Sequence, residues 1–346
     1  MKDKKVHLEI IRLLAISLVV FNHTDGYFLY YSTTHNILTY SVSLLFSILC
    51  RINVPLFFMV TGALLLDKEE SIKELYTKRV MRIAVIIVLF SAVQYVFLGI
   101  YKGEMSNLSL MDFFSLVYTG KVVESYWFLY AYLAILMMLP FLRKMAKLMT
   151  VEEFHYLFIL KIVLGILFRV FGLFTGKGIG IELFILTDSV FYVLAGYYME
   201  KRMKENFYQN RNKEMKKAEV ACVAAVILSI IIVTAMHKNT GVYLEECLTI
   251  FTPVIAITVY FMVKSICTRR KLSIRLEKIV IYAGSTVFGI YLIEKLVRRQ
   301  LLPVYLYLSE NTVGILACFC YVTGTLFLAF VYVSILKKIP GIRKWI

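Results

Sequence analysis

The sequence predicts an all-α fold: a polytopic membrane helical bundle of about ten transmembrane helices, with both termini cytoplasmic. Three observations support this fold class. Hydrophobic residues make up 60% of the chain and the mean hydropathy is +0.75, far above the apolar content of a soluble domain. The apolar residues fall into separate segments, most of them near the length that a membrane-spanning helix needs. Lys and Arg are distributed unevenly between alternate loops.

The apolar segments can be placed one by one along the 346 residues. They are 8–24, 42–66, 83–101, 125–142, 155–172, 181–199, 218–236, 244–264, 279–293 and 312–336. The first is interrupted by Arg12 and the ninth is short. Because no connecting loop is long enough to fold alone, residues 1–346 are predicted to form one membrane domain.

The basic residues indicate the orientation of these segments. With a cytoplasmic amino terminus, 27 of the 39 Lys and Arg lie in the inner segments, seven lie in outer loops and five lie within spans. This asymmetry follows the positive-inside rule and predicts a lipid bilayer, rather than nucleic acid, as the partner of a chain with a net charge of +16. The exception is the last outer loop, with Lys295, Arg298 and Arg299, which either dips into the protein or meets an anionic ligand.

The six cysteines carry no metal signature. They lie in or beside apolar segments, without the spacing typical of metal ligands or of a disulfide framework. We therefore expect them to pack in the bundle, and we expect no metal site.

The first segment contains two residues that an apolar helix tolerates poorly. An Arg near the centre of a spanning helix costs about 2.5–3.5 kcal/mol, so such residues commonly face a bundle interior and serve a site. Arg12 and His23 are eleven residues apart, which places them on one helix face at a separation of about 16 Å. The alternative is that Arg12 reaches the headgroups and His23 is an interfacial residue without chemistry.

Polar residues interrupt two further segments. Arg51 and Pro55 predict a break in the second helix, where neighbours must satisfy the freed backbone groups. Asp188 lies in the sixth segment, where an isolated carboxylate would be costly, and we expect it to pair with Arg169 or Lys161.

Four stretches of the first 145 residues carry a resemblance to a known family. They are Arg12 with His23, the run RINVPLFFMVTG from Arg51 to Gly62, the KRVMR run at residues 78–82, and YWFLY at residues 126–130 leading to Pro140. In this order they resemble the acyltransferase-3 family of integral membrane acyltransferases. Members of that family O-acylate extracytoplasmic glycans with a cytoplasmic acyl-CoA.

The later chain resembles the family more loosely. The runs FYVLAGY at 191–197 and VFGIYLI at 287–293 are similar to family patterns, but Glu294 follows the second where the family often has His. The chain ends soon after the tenth segment. The resemblance therefore implies either that transfer is completed within the membrane or that a separate glycan-assembly or extracytoplasmic transferase protein takes part.

The resemblance implies a catalytic role for His23 and Arg12. A hydroxyl is a poor nucleophile until a base takes its proton, and histidine suits that task. His23 is the candidate base, at the end of the first helix predicted to face outward. Arg12 is the second candidate, and would stabilise the thioester region or orient His23 through intermediate groups.

The resemblance also implies a site for the acyl-CoA donor, with acetyl-CoA the expected form. Arg79 and Arg82, three residues apart at the predicted start of the third helix, would bind the CoA phosphates. Trp127 and Tyr132 would line the passage of the pantetheine arm. The alternatives are that the two arginines are positive-inside anchors and that the two aromatic residues pack against other helices.

The expected function is therefore transfer of an acetyl or similar small acyl group to a hydroxyl of an extracytoplasmic glycan or cell-envelope saccharide. The alternative is a membrane transporter or flippase of a small polar or saccharide substrate, because charged residues inside spans also mark transport pathways.

Overall fold

The computed structural model describes residues 5–24, 36–102, 109–175, 187–203, 211–240, 245–270 and 272–345. These residues contain helices and turns but no strand. The helices, in chain order, are α1 (Val6–Asn22), α2 (Ile37–Cys50), α3 (Asn53–Leu65), α4 (Ile72–Leu75), α5 (Met81–Lys102), α6 (Leu110–Thr119), α7 (Trp127–Leu148), α8 (Val151–Thr175), α9 (Asp188–Tyr197), α10 (Arg211–Thr240), α11 (Glu245–Thr249), α12 (Thr252–Arg269), α13 (Ile274–Asn311), α14 (Gly314–Leu336) and α15 (Pro340–Arg343).

Eight helical stretches of the described part of the chain are long and apolar enough to cross a membrane. They are Ile37–Leu65, Ile72–Tyr101, Glu124–Leu148, Val151–Leu173, Asn212–His237, Cys247–Arg269, Ile274–Asn311 and Gly314–Leu336. Each lies over one predicted segment, so the helical membrane bundle is confirmed. Of the remaining two segments, the first corresponds to α1, which has 17 residues. The sixth includes residues 181–186, which lie outside the described ranges.

The second and ninth segments differ in detail from a simple span. The second consists of α2 and α3, which a turn at Arg51 and Ile52 separates, as the polar break predicted. The ninth continues far beyond its apolar run, because α13 has 38 residues. The prediction that Lys295, Arg298 and Arg299 lie in an outer loop is therefore wrong: all three belong to α13.

The chain divides into two compact units. A larger unit comprises residues 1–64 and 149–335, and a smaller unit comprises residues 65–148 and 336–346. The single membrane domain stays a prediction for the chain as a whole.

In the larger unit, two glycines allow α3 and α9 to approach backbone to backbone. A Cβ atom on Gly62 would lie 1.7 Å from the carbonyl oxygen of Val193, and one on Gly196 would lie 1.8 Å from that of Met59. Both distances are impossible for a real side chain. Small residues at such a crossing let membrane helices gain close packing, which is the main attraction between helices in lipid.

Helix α1 packs along α13 in the same unit. Its last turn also contacts α2 and α14 through three mutually packed rings, with centroids 5.0 Å apart for Phe21 and Phe46 and 5.1 Å apart for Phe319 with each. Aromatic pairs at this separation contribute about 0.5–1.5 kcal/mol each beyond burial. These rings fix the end of α1 immediately before His23.

The beginning of α1 is fixed by a buried carboxylate. The Glu200 side chain is 1% exposed and lies 2.7 Å from Lys5 Nζ and 2.8 Å from His7 Nε2. Tyr260 Oη donates to the same carboxylate at 3.1 Å, and Lys264 Nζ lies 3.4 Å from it. Both ends of α1 are thus held inside the larger unit.

In the smaller unit, α4, a π-helical turn at Tyr76–Val80 and α5 form a continuous helical run beside α7. A capping box at Ser71 and Glu74 begins this run. The predicted start of the third helix near residue 78 is therefore wrong, because the helix starts at Ile72.

Candidate functional site

The carboxylate of Glu294 binds the imidazole of His23. His23 immediately follows α1, and its Nδ1 lies 2.8 Å from Oε1 of Glu294 on α13. The His23 side chain is 17% exposed and that of Glu294 is 1% exposed. The histidine can therefore be reached from outside the unit, while its carboxylate partner is enclosed.

The other oxygen of Glu294 is held by Arg298, one turn further along α13. Arg298 Nε donates to Oε2 of Glu294 at 2.8 Å, and its side chain is 6% exposed. Tyr321 on α14 donates its hydroxyl to the backbone carbonyl of Arg298 at 2.7 Å. The carboxylate thus has a basic side chain on each side, which offsets the cost of burying it.

This arrangement can perform acid–base chemistry at one defined atom. An ionised carboxylate only accepts hydrogen bonds, so the proton of a neutral His23 ring lies on Nδ1 and points at Glu294. The Nε2 atom then carries the lone pair. A buried carboxylate that fixes this tautomer leaves Nε2 of the histidine as the base. The Nε2 atom is then suited to take the proton of a hydroxyl group.

Glu294 and Arg298 were not among the residues predicted from the sequence to form the site. The apolar run ends at residue 293, so the sequence predicts that both residues lie in a loop. A local signal was present: opposite charges four residues apart meet on one helix face. That spacing would have favoured a helix that continues through Glu294 and Arg298.

Arg12 binds Glu9 and not His23. Arg12 Nη1 lies 3.0 Å from Glu9 Oε2 within α1, and the Glu9 side chain is 9% exposed. Glu9 occupies the space beside Gly284 of α13, where a Cβ atom would lie 2.1 Å from Glu9 Oε2 and 2.7 Å from Glu9 Cβ. The missing side chain at Gly284 therefore makes room for the carboxylate that holds Arg12.

The residues predicted to bind CoA all lie in the smaller unit. Arg79 is already engaged there: its Nε and Nη2 donate to Glu70 at 2.9 and 3.1 Å. Arg143 Nη2 donates to the same carboxylate at 2.7 Å, and Arg143 Nε donates to the Leu65 carbonyl at 3.0 Å. The hydrogen bond from Arg79, helped by Arg143, lowers the pKa of Glu70 to about 2.

Arg82 differs from Arg79 in its surroundings. Its side chain is exposed and makes no ion pair within the described ranges of the chain. Arg79 is the eighth residue of a run that begins at Ile72, beyond the first turn where a helix dipole acts on charges. The dipole argument for these two arginines therefore fails, although the exposed charge of Arg82 remains available to an anion.

The two aromatic candidates occupy different environments on α7. Trp127 is 53% exposed at the first residue of the helix. Tyr132 is half-buried and stacks on Phe128 with ring centroids 6.1 Å apart. Tyr132 is thus part of the packing of α7, whereas about half of Trp127 is exposed.

One predicted ion pair inside the larger unit is confirmed. Lys161 Nζ lies 2.8 Å from Asp188 Oδ1, so the pairing of Asp188 is with Lys161. Arg169 instead donates to the backbone carbonyl of Thr249 at 2.5 Å. Asp188 and Arg169 thus have partners within the larger unit. A substrate pathway is therefore not needed to explain either charge.

Comparison with known proteins decides the family. A family model described as an acyltransferase domain, Acyl_transf_3, matches residues 6–334, nearly the whole chain. The chain belongs to the acyltransferase-3 family. No curated protein and no solved structure gives a significant match.

The acyltransferase is thus a multi-pass membrane enzyme, and both groups of candidate residues lie inside the matched range. Glu294 is the position at which the later chain departs from the family pattern, because the family often has His there. In this acyltransferase the departure has a structural meaning, because Glu294 is the partner of His23. The carboxylate at this position is therefore compatible with a functional site.

Proposed function

We propose that this acyltransferase moves an acetyl or similar small acyl group from cytoplasmic acyl-CoA to a hydroxyl of an extracytoplasmic glycan or cell-envelope saccharide. The observation that supports the proposal best is the contact of 2.8 Å between His23 Nδ1 and Glu294 Oε1. Hydroxyl acylation needs a general base, and this pair provides one at a partly exposed position.

In the proposed reaction, Nε2 of His23 takes the proton of the acceptor hydroxyl. The hydroxyl oxygen attacks the thioester carbonyl, so that a C–O bond forms and the C–S bond breaks. The proton on His23 then passes to the sulfur of the departing CoA. Glu294 stabilises the imidazolium formed between these steps, and Arg298 keeps Glu294 in place.

Arg79 and Arg82 remain our candidates for the CoA phosphates. Arg82 is the more accessible of the two, because two nitrogens of Arg79 are bound to Glu70. Trp127, with about half of its ring exposed, is suited to contact the pantetheine arm. Tyr132 would act through the packing of Phe128.

Arg12 is the second candidate catalytic residue. Its side chain is 23% exposed, and Glu9 holds it in one orientation on α1. Because His23 lies about 16 Å further along α1, a guanidinium fixed in this way would hold the thioester region of the donor on its way to His23 rather than contact the reacting carbonyl. We infer that Glu9 positions Arg12 for this role.

The acceptor side of the proposal requires further partners. The lipid bilayer carries the enzyme, and the saccharide acceptor must reach His23 from the outer side. A separate glycan-assembly or extracytoplasmic transferase protein would deliver that acceptor or continue the transfer.

Inverted membrane vesicles test the proposal directly. Radiolabelled acetyl-CoA is added to vesicles from cells that express the protein, and base-labile label on membrane saccharide is counted. Vesicles with the wild-type protein should incorporate label well above vesicles that lack it. Absence of label with acetyl-CoA and with longer acyl-CoA donors, combined with uptake of labelled saccharide, would favour a transporter instead.

A further inference from the structure

A cleft lies in the smaller unit, whereas the residues assigned to catalysis belong to the larger unit. It has a volume of about 760 Å³ and lies between the segment that precedes α4 and the second half of α7. Its volume is within the range of pockets that hold small ligands. The predicted topology, with both termini cytoplasmic, would put both flanking segments on the cytoplasmic side of the membrane.

The cleft has an excess of positive charge. Its lining contains three carboxylates and four basic residues, namely Lys68, Arg143, Lys144 and Lys147. Two further basic residues, Lys78 and Arg79, pair with lining carboxylates at 2.8 and 2.9 Å. The lining thus has one more basic residue than carboxylates, and Lys78 and Arg79 already offset two of those carboxylates from outside it. An anionic ligand would offset the excess of positive charge.

On α7, a basic residue of the cleft follows an apolar stripe on the same helix face. Met137, Phe141 and Lys144 follow one another at intervals of four and three residues, so they share one helix face over about 10 Å. Met137 is 46% exposed and Phe141 is 67% exposed. On the opposite wall Tyr76 is 39% exposed. The same cleft therefore presents apolar surface next to positive charge.

We propose that this cleft binds an anionic phospholipid, with the headgroup phosphate at Lys144 and Lys147 and an acyl chain along Phe141 and Met137. A small soluble anion would leave the apolar stripe uncovered. A lipid phosphate beside a membrane span satisfies both parts of the surface. Lys144 makes no ion pair in the described part of the chain, and Lys147 pairs with Glu69, whose side chain is 88% exposed. This proposal is independent of the acyl donor and acceptor.

Lipid binding to the full-length protein in detergent tests the proposal. Dioleoyl phosphatidylglycerol and dioleoyl phosphatidylcholine are offered separately, and bound lipid is counted by native mass spectrometry. Phosphatidylglycerol should bind about tenfold more tightly than phosphatidylcholine. Lys144→Ala with Lys147→Ala should weaken its binding about tenfold or more, since each basic residue near a lipid surface contributes about 1 kcal/mol.

Lys213→Ala with Lys216→Ala is the matched control, because it removes the same charge from exposed positions on α10. This control should retain phosphatidylglycerol within twofold of wild type. Phe141→Ser should weaken binding of the long-chain lipid without altering thermal unfolding.

Three results would overturn the proposal. Equal binding of the two lipids would show that the headgroup charge is not recognised, and unchanged binding by the double lysine variant would place the lipid elsewhere. Displacement of phosphatidylglycerol by equimolar inorganic phosphate or coenzyme A would assign the cleft to a soluble anion or to the acyl donor.

Discussion

His23 Nδ1 lies 2.8 Å from Oε1 of Glu294, although the two residues are 271 positions apart in the chain. The contact brings the end of α1 against the middle of α13, and Arg298 completes it from the other side. The contact joins the partly exposed base, His23, to the enclosed ion pair of Glu294 and Arg298. The predictions below separate what this arrangement contributes to stability from what it contributes to catalysis.

The Glu294–Arg298 pair should be structural as well as functional. Arg298→Met leaves a buried carboxylate without its cation and should destabilise the protein by about 3–5 kcal/mol. Glu294→Gln combined with Arg298→Met should recover most of that stability but not acyl transfer. Thermal unfolding in detergent and transfer in vesicles give the two readouts. Recovery of transfer by the double variant would show that the Glu294 charge has no catalytic role.

Gly62 and Gly196 should be intolerant of even one added methyl group. Gly62→Ala and Gly196→Ala each place a Cβ atom against a carbonyl of the facing helix, with an expected cost of about 1–3 kcal/mol. Gly165 is the control, since a Cβ atom there meets nothing within 4 Å. Gly165→Ala should be neutral or slightly stabilising. Equal thermal stability of all three variants would exclude the close crossing of α3 and α9.

The ion pairs of Glu70 with Arg79 and Arg143 should make the stability of the folded protein sensitive to acidic pH. The hydrogen bond from Arg79 lowers the Glu70 pKa from 4.5 to about 2, so Glu70 stabilises the fold above the higher value. This contribution is lost as the pH falls from about 5 toward 2. Glu70→Gln should unfold at a lower temperature at pH 7, and its difference from wild type should shrink over that interval. Glu69→Gln, at a largely exposed position, is the control. If the unfolding temperatures of Glu70→Gln and wild type differed by the same amount at every pH, the lowered pKa of Glu70 would be contradicted.

Arg82 should contribute to donor binding without supporting the fold. Arg82→Ala should weaken acyl-CoA binding about tenfold, as expected for the loss of a charged hydrogen bond. Arg82→Lys should rescue part of the loss, because an ammonium lacks the guanidinium fork. Arg275→Ala removes an exposed arginine of α13 and serves as the control. Isothermal titration with acyl-CoA gives the affinities, and wild-type affinity of Arg82→Ala would return Arg82 to the role of a membrane anchor.

The membrane fold could be predicted from the sequence because segment length and composition are local properties. Helix ends were harder to predict, since charged residues lower the apparent hydropathy of a helix that continues. The Ser71–Glu74 capping box signals the first turn of α4, but apolar runs alone do not reveal this helix start. The extension of α13 past residue 293 depends on the burial of Glu294 by His23 and Arg298.

The site was predictable only in part for a similar reason. Arg12 and His23 stand out because an apolar helix rarely contains such residues, and their shared face follows from helix geometry. The pairing of Arg12 with Glu9, three residues away on α1, was within reach of helix geometry. The partner of His23 could not be assigned, because Glu294 comes from the far end of the chain. The binding of Arg79 by Glu70 likewise depends on how the segment before α4 folds back on it.

The most direct test of the account is the rate of acyl transfer from radiolabelled acyl-CoA to membrane saccharide by His23→Ala. The measurement compares this variant with wild type and His237→Ala at matched expression. A positioned base contributes about 10²–10⁴-fold in rate, so His23→Ala should lose at least about 100-fold while His237→Ala stays within twofold of wild type. Near-normal transfer by His23→Ala would contradict the assignment of His23 as the catalytic base.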